Sequence, residues 1–127
     1  MKIHHIGIIE KNIEQSIQIY SNFDFFPCTD LVIDVIQNNK IIFLKNRRNQ
    51  FLIELIEPID DTSSIYRYPK GYHHICFDVS EYSDFCSFFA NLNCGKIFTK
   101  PIVAPAINDR LVVFAYLKNM NLVEFIL

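Results

Sequence analysis

The sequence predicts an α+β protein made of two copies of a β-α-β-β-β module. The first sign is a pair of adjacent histidines, His4-His5, which returns 69 positions later as His73-His74, each time inside a strand-like run. The second sign is the pair of apolar runs Leu-Ile-Glu-Leu-Ile at 52–56 and Leu-Val-Glu-Phe-Ile at 122–126. A stretch of helical spacing follows the first strand of each half, so the whole order repeats.

The first module is predicted over residues 1–57. It opens with a strand at 2–9, and Asn12 is placed to cap the helix that carries Ile13, Ile17, Tyr20 and Phe23. Runs of β-branched and aromatic residues between polar turns then predict three strands. These are Leu31–Ile36, Lys40–Leu44 and Phe51–Ile56.

Residues 58–70, rich in Pro, Asp, Ser and Tyr, are predicted to link the modules, and residues 71–127 form the second module of a single domain. Its first strand is His73–Val79. Ser80-Glu81 is predicted to open its helix and Gly95 to occupy the position just after the helix end. Its remaining strands are predicted at Lys96–Phe98, Leu111–Leu117 and Asn121–Leu127.

Composition excludes several classes of function. The net charge is −2 with acids and bases mixed along the chain, so no basic surface for nucleic acid is predicted. No apolar run approaches the ~20 residues that span a bilayer, and no signal peptide is seen at the N-terminus. The four cysteines, at 28, 76, 86 and 94, lack metal-binding spacing. They are expected to be reduced, mostly buried thiols of a cytoplasmic protein.

Four residues that recur at equivalent places are the candidate metal ligands. His5 and His74 open the first strands, and Glu54 and Glu124 lie in the middle of the last strands. Alternation along a strand puts each glutamate on the opposite face from its apolar neighbours, where a buried carboxylate needs a partner. Two imidazoles and two carboxylates suit one divalent first-row ion, which can be nickel, cobalt, zinc, manganese or iron.

Three nearby polar residues are not predicted to be ligands. His4 and His73 alternate to the opposite face from His5 and His74. Glu57 stands just before Pro58 and is expected on a loop surface.

The chain resembles the vicinal oxygen chelate superfamily, which includes glyoxalase I and methylmalonyl-CoA epimerase. The resemblance is carried over nearly the whole chain by five short segments. They are His-Ile-Gly-Ile at 5–8, Ile-Tyr-Ser-Asn at 19–22, Ile-Glu-Leu-Ile-Glu-Pro at 53–58, Gly-Tyr-His-His-Ile-Cys at 71–76 and Leu-Val-Glu-Phe-Ile at 122–126. The segment at 71–76 and Asn-Asp-Arg at 108–110 are most similar to the epimerases.

The resemblance implies the glyoxalase/bleomycin-resistance/dioxygenase fold, in which two modules form a curled mixed sheet around one cleft. It implies a metal-dependent lyase or isomerase that removes a proton next to a carbonyl, with the metal stabilising an enolate or enediolate. Glu124, together with Glu54, is implied to carry the proton. Arg110 is a candidate anchor for a substrate carboxylate or phosphate.

The substrate and the assembly stay open at this point. A thioester and a thiohemiacetal are both possible substrates, and the epimerases often carry an extra carboxylate in the strand that is Lys40–Leu44 here, where none is found. A non-catalytic small-molecule binder of the resistance type, or a partner-binding module, are the alternatives to an enzyme. A homodimer is expected, with the cleft closed within one chain or by exchanged modules.

Overall fold

The computed structural model describes residues 1–127 and contains ten strands and two α-helices. Their order is β1 (Lys2–Ile9), α1 (Ile13–Ser21), β2 (Phe25–Pro27), β3 (Val32–Asp34), β4 (Asn39–Asn46), β5 (Leu52–Pro58), β6 (Gly71–Asp78), α2 (Phe85–Leu92), β7 (Gly95–Ile97), β8 (Ile102–Ala104), a 3₁₀ helix (Pro105–Ile107), β9 (Arg110–Leu117) and β10 (Leu122–Ile126). The predicted α+β class and the repeated order of elements are confirmed. Each half has one more strand than predicted, because β2 and β8 are three-residue strands next to prolines, too short for a periodic pattern.

The chain divides into two compact units. One, the N-terminal unit, is His5–His73; the other, the C-terminal unit, is Met1–His4 together with His74–Leu127. The first four residues therefore pack with the second half of the chain, and the Met1 amine forms an ion pair with Glu81.

In the N-terminal unit the strands are ordered β2-β4-β5-β1, with β3 also paired to β4. β1 and β5 are parallel, and the other pairs are antiparallel. One face of this sheet buries an apolar cluster with α1, formed by Ile13, Ile42, Leu44, Ile53 and Leu55. Because side chains alternate along a strand, Phe43 and Glu54 lie on the face turned away from α1.

The C-terminal unit repeats this arrangement. Its order is β6-β10-β9-β7, with β8 also on β9, and only β6 and β10 are parallel. The cluster on the face that carries α2 consists of Val79, Phe85, Phe89, Val113, Ala115, Val123 and Phe125. Phe114 and Glu124 alternate with these residues and lie on the other face.

The two helices differ in how well their starts were predicted. Asn12 caps α1 as expected, and its side chain accepts a hydrogen bond from the Gln15 backbone N–H at 2.8 Å. The predicted start of α2 at Ser80-Glu81 is wrong, since Asp84 is the cap and accepts from the Ser87 N–H. The Ser80 N–H and hydroxyl both donate to Asp78 instead, which draws that segment toward β6.

Gly95 was also assigned the wrong role. Asn93 ends α2 in the left-handed conformation, at φ 51°, and Gly95 is the first residue of β7. A Cβ added at Gly95 would lie 2.6 Å from the carbonyl oxygen of Tyr116 in the paired strand β9. Glycine is therefore required here by close approach of two backbones.

The segment between β5 and β6 is an ordered loop on the N-terminal unit. Ser63 donates its hydroxyl proton to the side chain of Asn39, which is 2% exposed, at 2.5 Å. Asn38 donates to Asp60 and Thr62, and Ile65 is buried. These contacts attach the loop to the start of β4.

Two further features bear on the sequence predictions. No helix of the structure is long and apolar enough to cross a membrane. Of the four cysteines only Cys76 is buried, so the expectation that most are buried is wrong: Cys28, Cys86 and Cys94 lie at strand and helix ends, where they are exposed.

Candidate active site

The N-terminal unit brings His5 and Glu54 together. β1 and β5 are parallel neighbours in a register that pairs Gly7 with Glu54. His5 and Gly7 share a face of β1, so the imidazole reaches the carboxylate diagonally across the pair of strands. His5 Nε2 and Glu54 Oε2 are 3.3 Å apart, and the residues are 0% and 5% exposed.

The C-terminal unit brings His74 and Glu124 together in the same way. β6 and β10 are parallel, and the register pairs Cys76 with Glu124. His74 Nε2 lies 3.1 Å from Glu124 Oε2, and the residues are 2% and 4% exposed. In both units, then, the residue two positions after the histidine is the register partner of the glutamate. The two buried His–Glu pairs therefore have equivalent geometry.

Each pair has an aromatic neighbour that the sequence reading missed. Phe43 of β4 is the cross-strand partner of Glu54, and Phe114 of β9 is the cross-strand partner of Glu124. A phenylalanine in an apolar strand is usually a core residue, so the sequence alone does not distinguish either one. The available signal was that β4 and β9 occupy equivalent places in the two modules and each carry a phenylalanine between two aliphatic residues.

Arg110 is positioned by Asp78 and belongs to neither His–Glu pair. Its Nη1 and Nη2 groups donate to the two carboxylate oxygens of Asp78 at 2.7 and 3.1 Å. This bidentate contact holds the pKa of Asp78 well below its usual range and raises the pKa of Arg110. Asp78 is four residues after His74 on β6, so both side chains are on the same sheet face. The role of Arg110 as a substrate anchor stays a prediction.

The Asp78–Arg110 ion pair should make stability depend on pH in the acid range. Because the folded-state pKa of Asp78 is depressed, its stabilisation is present above the usual carboxyl pKa of about 4 and is lost as the pH falls toward the folded value. We expect Asp78→Asn to lower the free energy of unfolding by about 1 kcal/mol at pH 7. The difference should shrink below about pH 4, as measured by urea unfolding at pH 7, 4 and 3. The exposed Asp30→Asn is the control, and an unchanged difference at pH 3 would contradict this account.

Two of the residues that were not predicted to be metal ligands, His73 and Glu57, make other contacts. The imidazole of His73 packs edge-on against Tyr68 with the ring centroids 4.7 Å apart. Glu57 lies in β5, and its placement on a loop surface is wrong. It accepts a hydrogen bond from the Ile13 N–H at 3.0 Å, because the first turn of α1 leaves such groups without helical partners.

Comparison with known proteins identifies the family. The family model of the Glyoxalase/Bleomycin resistance protein/Dioxygenase superfamily matches residues 4–114. The chain belongs to this superfamily. The vicinal oxygen chelate resemblance predicted from the sequence is thereby confirmed.

Individual members of the superfamily agree over nearly the whole chain. The mitochondrial methylmalonyl-CoA epimerase of Dictyostelium discoideum is 26% identical over 125 residues, covering 94% of this chain and 73% of that protein. The crystal structure of the Mycobacterium tuberculosis methylmalonyl-CoA epimerase matches with a TM-score of 0.83 at 17% identity, covering 98% of this chain and 86% of that one. A Streptomyces coelicolor methylmalonyl-CoA epimerase variant in complex with 2-nitronate-propionyl-CoA matches with a TM-score of 0.79 at 17% identity, covering 99% and 96%. These structures share the fold of the superfamily with this chain.

Proposed function

We propose that this protein is a metal-dependent isomerase of the methylmalonyl-CoA epimerase type, which moves a proton on the carbon next to a thioester carbonyl. The observation that carries the proposal is the buried His–Glu pair that occurs once in each unit, at equivalent strand positions. Superfamily membership and the epimerases among the similar proteins support the reaction class.

The geometry of each pair fits two ligands of one metal ion. Donors about 2.1 Å from a metal are about 3.0 to 3.4 Å apart when they occupy adjacent coordination positions. The measured separations of 3.3 and 3.1 Å lie in this range. The proposal assigns His5, Glu54, His74 and Glu124 to one divalent ion, as the resemblance to the superfamily implies.

The residues of the chain divide the chemistry between them. A bound divalent ion supplies Lewis-acid stabilisation of the negative charge that develops on the carbonyl oxygen. Glu124 accepts the proton from the α-carbon, and Glu54 of the other module, which carries a proton of its own at that stage, donates that proton to the other face of the planar carbon. The reverse reaction exchanges the two roles, so both carboxyl groups are needed for epimerisation. Both carboxylates are nearly excluded from water, which strengthens their interaction with the reacting proton.

The substrate is proposed to be a coenzyme A thioester because the S. coelicolor protein is seen with such an analogue. Arg110 can contribute to its binding only through N–H groups that do not point at Asp78. A thiohemiacetal of glutathione is the competing substrate, since the family match covers the glyoxalases as well.

Metal content of protein purified without chelator tests the proposal. We expect about one divalent ion per chain in the native protein, and less than about a tenth of that in Glu124→Ala, because one of four ligands is lost. The exposed Glu14→Ala is the matched control and should keep the ion. Failure to take up nickel, cobalt, zinc or manganese would refute the metal-dependent enzyme and favour a small-molecule binder.

Deuterium uptake from solvent then identifies the substrate. The metal-loaded protein should exchange the α-proton of methylmalonyl-CoA, monitored by proton NMR. Exchange in the methylglyoxal–glutathione adduct alone would replace the epimerase assignment with a glyoxalase one.

A further inference from the structure

Each His–Glu pair is held by a phenylalanine that has the same surroundings in both units. We propose that Phe43 and Phe114 are positioning residues, which keep the imidazoles of His5 and His74 in the one orientation that presents Nε2 to the neighbouring carboxylate. The effect of the two phenylalanines on metal binding rests on the proposed function. Their effect on the orientation of the imidazoles does not depend on it.

In both units the phenylalanine ring lies edge-to-face against the imidazole of the histidine. The rings of His5 and Phe43 meet at 85° with centroids 5.0 Å apart, and those of His74 and Phe114 meet at 87° and 6.0 Å. Both are edge-to-face arrangements, the favoured geometry of aromatic pairs. An imidazole can rotate about its Cβ–Cγ bond, a torsion with broad preferences, so a perpendicular ring beside it restricts a motion that the backbone leaves open.

The main chain of each phenylalanine is held by two hydrogen bonds of the same kind in both units. The Phe43 N–H donates to the Thr29 hydroxyl at 3.0 Å, and the Phe114 N–H donates to the Thr99 hydroxyl at 2.9 Å. The carbonyl groups of Phe43 and Phe114 accept from the backbone N–H of Cys28 and Phe98. A threonine thus replaces a strand partner at the break between two short edge strands, and it does so in both modules.

The side chain across from each glutamate is apolar in both units. Phe43 and Phe114 stand directly across from the glutamates, where cross-strand side chains are in contact. A polar side chain there could hydrogen-bond to the carboxylate or the imidazole and draw it away from its partner. A phenyl ring offers neither donor nor acceptor, so it orients the histidine and leaves the Nε2–carboxylate contact intact.

Replacement of the rings by flexible apolar side chains tests the proposal. Phe43→Met and Phe114→Met should each shift and broaden the imidazole signals of the histidine in the same unit, in proton–nitrogen NMR spectra of the metal-free protein. Nuclear Overhauser contacts from that imidazole to the phenyl ring should be present in the native protein. Cobalt(II) should bind each variant about tenfold more weakly, the usual effect of losing a residue that orients a metal ligand.

Two further variants separate positioning from general packing. Phe125→Met removes a buried ring next to Glu124 on the opposite face of β10, so it should destabilise the fold yet leave the His74 signals and cobalt affinity unchanged. Phe114 is partly exposed, and Phe114→Tyr keeps the ring, so this variant should retain the Overhauser contacts to the His74 imidazole that Phe114→Met loses. Imidazole signals in Phe43→Met and Phe114→Met that match the native protein would overturn the proposal. If the native protein bound none of cobalt, nickel, zinc and manganese, the proposed function would be refuted, and the NMR comparison would still decide the role of the two rings.

Discussion

Glu124→Gln should lower the rate of α-proton exchange in one epimer of methylmalonyl-CoA by about 10²- to 10⁴-fold, the usual contribution of a positioned general base. Glutamine has nearly the same shape and keeps one oxygen near His74 Nε2, so the fold is preserved while the proton acceptor is lost. The measurement is the initial rate of deuterium incorporation by proton NMR, with metal content determined on the same samples. Rates should be compared at equal metal occupancy, so that loss of the ion is not mistaken for loss of the base.

Glu54→Gln provides the matched control in the other module. Epimerisation needs proton transfer on both faces of the planar carbon, so removing one base should leave exchange of one epimer and abolish conversion between the two. Each variant should therefore spare a different epimer. Native exchange rates in both variants would exclude the two glutamates as the proton-transferring groups, whatever metal they bind.

Gly95→Val is expected to destabilise the fold strongly. A Cβ at this position would lie 2.6 Å from the Tyr116 carbonyl oxygen and 3.0 Å from the Leu117 Cα, both backbone atoms of β9 that cannot rotate away. The paired strands β7 and β9 must separate, so we expect Gly95→Ala to cost about 2 to 3 kcal/mol of unfolding free energy and Gly95→Val more than that. Such a loss is a large part of the unfolding free energy of a typical domain, which is about 5 to 15 kcal/mol. Urea unfolding followed by circular dichroism measures it.

Gly71 provides a control in which a substitution causes backbone strain without steric crowding. Its φ is +102°, and nothing lies within 4 Å of an added Cβ. Substitution there should cost about 1 to 3 kcal/mol through backbone strain alone. The cost should then be similar for Ala and Val at position 71 and should rise with side-chain size at position 95. Equal effects of Ala and Val at position 95 would contradict the steric explanation.

The repeated His and Glu positions were predictable because strand alternation and an internal repeat act on the same residues. A glutamate between bulky apolar residues in a strand has to point away from the core, and finding the arrangement twice excludes coincidence. The start of α2 was not predictable in this way, since Ser80 and Asp84 are both good capping residues. The choice between them depends on Asp78, whose carboxylate binds Ser80 and is in turn held by Arg110.

The parts of the site that were missed depend on contacts between distant positions. Phe43 gains its meaning from the register that places it across from Glu54, and no local pattern distinguishes it from Ile42 or Leu44. Similarly, Glu57 was assigned to a loop because a proline follows it, yet it pairs with Lys40 of β4, and its carboxylate accepts a hydrogen bond from the N-terminus of α1. Register and helix placement are tertiary properties, which periodicity alone does not encode.

The packing of Met1–His4 with His74–Leu127 has a consequence for folding during synthesis on the ribosome. Residues 1–4 are synthesised before the N-terminal unit, and the other residues of their own unit are synthesised after it. At about 5 to 20 residues per second, the start of β1 must wait several seconds for its partners. During that interval residues 2–4 lack β6, their neighbouring strand, and the N-terminal unit can fold before the start of β1 is paired.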